Sequence, residues 1–250
     1  MLKYEKNWVR LPLQNAYNVR ELGGYPTLDG NQTVYHRFLR ADDLGTLTDA
    51  DVEFLTGYGV CMVIDLRSDG EIEQAPDRLR GLEGVEYIRV PFLGRDVTDA
   101  TQMTPEDMKE GLVPLYRKML ENKEAVKEIF TAVAQAKEGC ILFHCTAGKD
   151  RTGVMAMILM GLAGVDRQDC MTNYAQSYVN LCRNKVFTDA AFKAEHAGFG
   201  KMMYSQPETI GECYDYVLEK YGSMEHYLKE CGLTEEQIEK IKNRLLKEII

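Results

Sequence analysis

The chain has 250 residues, and its 30 Lys and Arg against 39 Asp and Glu give a net charge of −9. That balance argues against generic nucleic-acid binding and against a polybasic membrane patch, although a few local cations suffice to hold an anionic substrate. The length allows a buried core without metal or disulfide staples. The seven cysteines are scattered with no C-x-x-C pair, and the four histidines have no metal-ligand spacing, so neither a metal nor a disulfide framework is expected and a reducing compartment is.

Met1 to Pro12 carries charges and no apolar run, so no secretory signal is visible. The longest apolar stretch, Val154 to Val165, is too short to span a bilayer, and a cytoplasmic protein is expected. The first twenty residues read as an arm. Gly23-Gly24 and Asp29-Gly30 mark turns around two extended pieces, the second running from Val34 to Arg40. Thr48 with Asp51 opens a helix to about Thr56. The apolar run Val60 to Ile64, ending in Asp65, suits a strand covered on both faces, and Val85 to Val90 is a second strand. A polar loop follows from Gly94 to Gln102. Thr104-Pro105 then looks like a helix start, and Pro114 should interrupt that helix. Val126, Ile129, Phe130 and Val133 form a helical stripe, and Cys140 to Phe143 is a third strand.

Beyond residue 151 the chain reads as helices. Val154 to Leu162 is apolar all round, as in a buried helix. Residues 170–210 have weak periodicity and read as a helical insertion or lid rather than core. Thr234 and Gln237 have capping-box spacing ahead of an amphipathic stripe at Ile238, Ile241, Leu245 and Ile249. The pattern predicts one α/β domain over 1–250, with a parallel-type central sheet flanked by helices and a helical C-terminal part.

Chemistry concentrates in His144-Cys145-Thr146-Ala147-Gly148-Lys149-Asp150-Arg151-Thr152-Gly153, between an apolar strand and a buried helix. A tight turn at Gly148 can aim successive backbone N–H groups into one concavity, and the helix N-terminus adds its dipole. Arg151 can hold a phosphoryl group through two parallel hydrogen bonds. The same field favours a thiolate at Cys145, placed for in-line attack on phosphorus through a phosphocysteine intermediate. His144 is expected to face away from the phosphate and hold the loop's shape. The Thr152 hydroxyl could bond the Cys145 sulfur and help it leave. A general acid must also reach the leaving oxygen. The candidates are Asp150 in the loop itself and Asp96, Asp99 and Asp107 in or near the polar stretch after Pro91. Arg20 and Arg67 either add to the site or pair with Glu71 or Asp65. The aromatic and Met residues from Tyr174 to Tyr204 either cap the pocket or pack as core.

HCTAGKDRTG resembles the H-C-x5-R-[ST] signature of cysteine-dependent phosphatases, and its Gly-Lys-Asp-Arg run is similar to the loop of the atypical bacterial tyrosine and lipid phosphatases. Asn18-Val19-Arg20-Glu21-Leu22-Gly23-Gly24 resembles that family's N-R-D-L-G-G motif, with Glu21 where Asp is more usual. Asp65-Leu66-Arg67-Ser68 matches its D-L-R-S strand end, and Tyr221-Gly222-Ser223 with Tyr227-Leu228 resembles its C-terminal pattern. The resemblance covers roughly residues 15–247. It implies a protein-tyrosine-phosphatase-like fold and a metal-free, cofactor-free phosphomonoesterase of tyrosine or mixed specificity. It also implies Asp150 as the general acid. Lys149 at the loop's rim would favour extra phosphates, so a phosphoinositide phosphatase is the alternative reading. The substrate is then a phosphorylated protein or a phosphoinositide. More remote readings are a sulfur- or arsenate-handling protein and a non-catalytic phosphate-binding module. Oligomeric state is not legible in the sequence.

Overall fold

The computed structural model describes residues 6–93, 111–196 and 200–247. Its five strands are β1 (Arg20–Glu21), β2 (Phe38–Ala41), β3 (Val60–Asp65), β4 (Glu86–Arg89) and β5 (Cys140–His144), in the order β1-β2-β5-β3-β4. β1 is antiparallel to β2, and all the other pairings are parallel. A parallel sheet needs cover on both faces, and the apolar run of β3 anticipates this. Alternate side chains go to opposite faces. Ile141 and Phe143 of β5 join Phe38, Met62 and Ile64 in the larger core cluster. Cys140 and Leu142 join Leu39 and Val63 in the smaller one.

The larger cluster is covered by α3 (Leu112–Glu121), α4 (Lys123–Gln135), α5 (Asp150–Leu162), α6 (Arg167–Leu181), α8 (Pro207–Tyr221), α9 (Met224–Glu230) and α10 (Glu235–Leu246). The expected stripe of α4 is buried in full, as are Ile238, Ile241 and Leu245 behind the Thr234–Gln237 capping box. Ile249 lies outside the described residues. The opposite face is covered by α1 (Asp49–Gly57) and by the N-terminal arm, through Leu11, Ala16 and Val19. That arm is tied to the sheet edge by the Leu11 amide on the Val19 carbonyl, at 3.0 Å. The short helix α2 (Asp69–Gln74) follows β3.

Three expectations differ from what is observed. The strand expected from Val34 begins only at Phe38, because His36 takes a positive φ of 62° just before it. Pro114 does not interrupt a helix. It sits in the first turn of α3, where a backbone N–H has no intrahelical acceptor to lose. The helix start at Thr104-Pro105 lies outside the described residues. The stretch 170–210 is of two kinds. α6 buries Cys170, Met171, Asn173, Tyr174, Ser177 and Leu181, whereas α7 (Lys185–His196) buries nothing. A helix that buries polar Asn and Ser has no clean apolar stripe, which explains the weak periodicity.

Candidate active site

β5 is the central strand, buried along its whole length, and it delivers Cys145 to the carboxyl end of the sheet. Ligands of open parallel sheets bind at that end. The chain bends through 145–149 and enters α5 at Asp150. Gly148 takes a φ of +64°, and a Cβ there would lie 2.3 Å from the Ala41 carbonyl oxygen at the end of β2. Only glycine satisfies both conditions.

The framework holds the loop by its carbonyls. Asn18 Nδ2 donates to the Ala147 and Gly148 oxygens at 3.0 and 3.1 Å. Arg40 donates to the Gly148 oxygen at 2.8 Å, and the Asp43 amide donates to the Thr146 oxygen at 2.9 Å. Among the described residues, the backbone N–H groups of 146–149 have no hydrogen-bond acceptor. A run of unpaired peptide donors beside a helix N-terminus is an anion-binding arrangement.

Arg151 stands in the first turn of α5 and meets Glu71 of α2 through two parallel bonds, NH1 to Oε2 at 2.6 Å and NH2 to Oε1 at 2.7 Å. The Thr146 hydroxyl donates to Oε1 at 2.6 Å, and the Ser68 amide donates to Oε2 at 2.9 Å. Burial works against the charged forms of both partners. The Cys145 sulfur and Glu71 nonetheless raise Arg151 above its ordinary value, and Arg151 lowers Glu71.

His144 points away from the loop interior. Its Nε2 lies 3.0 Å from Asp77 Oδ2 and 3.5 Å from Asp65 Oδ2, and its Nδ1 is 3.3 Å from the Cys145 carbonyl oxygen. Burial alone would lower its pKa, but the two carboxylates outweigh burial and raise it to about 10. The two carboxylates therefore favour the charged form of the buried imidazole. Asp65, Asp77 and His144 are metal-ligand types brought within 4.8 Å of one another. Arg67 already takes both oxygens of Asp65, at 2.7 to 3.1 Å, and the Tyr87 hydroxyl adds a bond at 2.6 Å, so the group is an ion-pair network.

Asp150, at the start of α5, accepts on Oδ1 from the Tyr116 hydroxyl of α3, which lies 2.6 Å from the Tyr174 hydroxyl of α6. The Lys149 ammonium is 3.4 Å from the same carboxylate oxygen. Lys149 is not a rim lysine reaching into solvent. It is buried, and its ammonium donates to the Met202 and Tyr204 carbonyls. The Thr152 hydroxyl is buried without a hydrogen-bond partner, so the expected bond to the Cys145 sulfur is not made in this structure. Asp96, Asp99 and Asp107 lie outside the described residues.

A sequence pattern described as the tyrosine phosphatase family matches residues 11–247. The chain belongs to the tyrosine phosphatase family. It is similar to a tyrosine-protein phosphatase from Nostoc commune, with 34% identity over 221 residues, 83% of this chain and 74% of the relative. It is also similar to the triple specificity protein phosphatase PtpB of Mycobacterium tuberculosis, with 24% identity over 84% of this chain and 91% of that protein. The protein is accordingly a phosphoric monoester hydrolase of the tyrosine phosphatase class. No helix among the described residues is long and apolar enough to cross a membrane.

This phosphatase brings to its loop several residues that sequence reasoning missed or misassigned. Glu71 pairs with Arg151, not with Arg20 or Arg67. Arg67 pairs with Asp65 and Asp43. Arg20 bonds carbonyls and side-chain oxygens of Asn18, Asn173 and Ser177. Arg40, Tyr116 and Asn173 carried no local signal at all. Each sits on an element whose approach to the loop is set by packing, more than one hundred residues away from the loop for Arg40. Tyr174 is a core residue with its hydroxyl at the site.

Proposed function

We propose that this enzyme hydrolyses phosphotyrosine, with tolerance for phosphoserine and phosphothreonine, through a phosphocysteine on Cys145. The observation that carries the reading is the set of loop amides left without acceptors around a buried cysteine, with Arg151 oriented by Glu71. Cys145 attacks phosphorus as the P–O bond to the leaving group breaks, and the leaving oxygen takes a proton from Asp150. Loop amides and Arg151 stabilise the charge on the equatorial oxygens. Water then attacks the phosphocysteine, releasing phosphate and the thiolate, with Asp150 accepting a proton. Tyr116 donates to Oδ1 of Asp150, which leaves Oδ2 as the oxygen that carries the proton. Thr152 is close in sequence and has a free hydroxyl to offer the departing sulfur.

The triple specificity of the mycobacterial relative, stated in its name, supports broad specificity. A multiply phosphorylated lipid headgroup would need the Lys149 ammonium, which is committed to the Met202 and Tyr204 carbonyls, so the phosphoinositide reading has less support. Cys145→Ser should abolish phosphate release from p-nitrophenyl phosphate while circular dichroism stays native. Surviving activity would remove Cys145 from the mechanism. A kcat/KM panel over phosphotyrosine peptide, phosphoserine peptide and mono- and bis-phosphorylated inositides decides the substrate class. A preference for the inositides would overturn the proposal.

A further inference from the structure

Arg20 and Arg40 stand opposite each other across the β1–β2 pairing, and both are 1% exposed. Like charges directly opposite on neighbouring strands destabilise a sheet, and a buried charge without a counter-ion costs several kcal/mol. Among the described residues, no carboxylate lies within ion-pairing distance of either guanidinium. Both are satisfied by neutral oxygens. Arg40 donates to Asn173 Oδ1 at 2.6 Å, to the Gly148 and Lys149 carbonyls at 2.8 and 3.3 Å, and to Ser177 Oγ at 3.4 Å. Arg20 donates to the Asn173 carbonyl and Ser177 Oγ, both at 2.8 Å. The Nε of each is buried with no partner.

The anion that Arg40 faces is in the loop. Burial lowers Arg40 to about 10, and the strongest opposing influence on it is the Cys145 sulfur, followed by the phenols of Tyr25, Tyr174 and Tyr116. The sulfur acts likewise on Arg151 of α5, which Glu71 and Asp150 also raise, and the Lys149 ammonium of the same loop lies 3.4 Å from Asp150 Oδ1. Asp42, whose carboxylate acts against the lowering of Arg20, is pushed by burial to about 6 and is already engaged by the Tyr17 and Asn18 amides.

We propose that Arg40 is a positioning residue for phosphoryl transfer. It pins the Gly148 and Lys149 carbonyls to the outside of the loop, and its buried charge has the Cys145 thiolate and the bound phosphoryl group as counter-ion. Asn173 serves as the neutral acceptor that leaves this charge uncancelled. The inference rests on Cys145 being the nucleophile.

The decisive variant is Asn173→Asp, which keeps the side-chain size and the Arg40 bond but supplies the missing carboxylate. Inorganic phosphate should inhibit it about tenfold more weakly. Alkylation of Cys145 by iodoacetamide, followed by mass spectrometry of its peptide, should slow about tenfold at pH 6 and hardly at pH 9. Thermal unfolding should show the variant at least as stable as the wild type. Arg40→Lys keeps the charge but not the fork, and should retain the alkylation rate at pH 6 while lowering kcat. Unchanged phosphate inhibition and alkylation in Asn173→Asp would overturn the proposal, as would equal losses at both pH values. Alkylation is read without turnover, so an error in the nucleophile assignment shows separately, as activity surviving in Cys145→Ser.

Discussion

Glu71 grips Arg151 through both oxygens, at 2.6 and 2.7 Å, from a helix 80 residues earlier in the chain. The carboxylate is held in turn by the Ser68 amide and the Thr146 hydroxyl, so it joins the rim of the loop to the cation at its end. This pair fixes the guanidinium plane before substrate arrives, which is how a bidentate clamp lowers the cost of orientation.

Glu71→Gln should therefore lower kcat/KM for p-nitrophenyl phosphate by about 10- to 100-fold, the worth of a charge-assisted pair. The fold should survive, because the amide keeps one acceptor and the same volume. Full activity in the variant would mean that Arg151 is positioned without Glu71.

Asp150→Asn tests the proton donor. Loss of a general acid costs about 10² to 10⁴, and the cost grows as the leaving group worsens. The variant should lose little on p-nitrophenyl phosphate and far more on phenyl or alkyl phosphates. Tyr116→Phe should follow the same trend more weakly, since it removes the hydroxyl bonded to Oδ1. Equal losses on good and poor leaving groups would assign Asp150 a structural role.

Two glycines with positive φ separate backbone strain from site geometry. Gly148→Ala meets the Ala41 carbonyl at 2.3 Å as well as a strained φ, whereas Gly222→Ala at the end of α8 has nothing within 4 Å. The first should cost about 2 kcal/mol or more and abolish activity. The second should cost about 1 kcal/mol and leave kcat/KM intact. Urea midpoints and steady-state rates measure both.

The buried His144 cation gives stability a distinct alkaline dependence. Its folded pKa is raised from 6.5 to about 10, so its contribution is complete below pH 6.5 and is lost as pH rises through about 10. Wild-type Tm should fall over that interval. His144→Asn should be less stable at pH 6, and its Tm should depend less on pH from 6.5 to 10. Parallel curves for the two proteins would show that His144 is not charged in the folded state.

The sequence by itself determined the elements with strong local periodicity and the chemistry of one contiguous loop. β3, β5, α4, the buried α5 and the capped α10 follow from apolar patterns read over a few turns or alternations. His144 to Thr152 lies within a single strand–turn–helix unit, so Cys145, Gly148 and Arg151 reach their relative places by chain connectivity alone. Tertiary structure decided what surrounds them. Glu71, Arg40, Asn18, Tyr116 and Asn173 come from five different parts of the chain, and only packing brings their polar side chains to the loop. It also gave Lys149 its carbonyl partners and placed His144 between two carboxylates. The physical reason is the range of the forces. Helical and strand patterns are set by neighbours in sequence, whereas desolvation and ion pairing are set by neighbours in space. The net charge of −9 illustrates the difference, since it sums the whole chain and is silent about where a buried guanidinium such as that of Arg40 meets the loop.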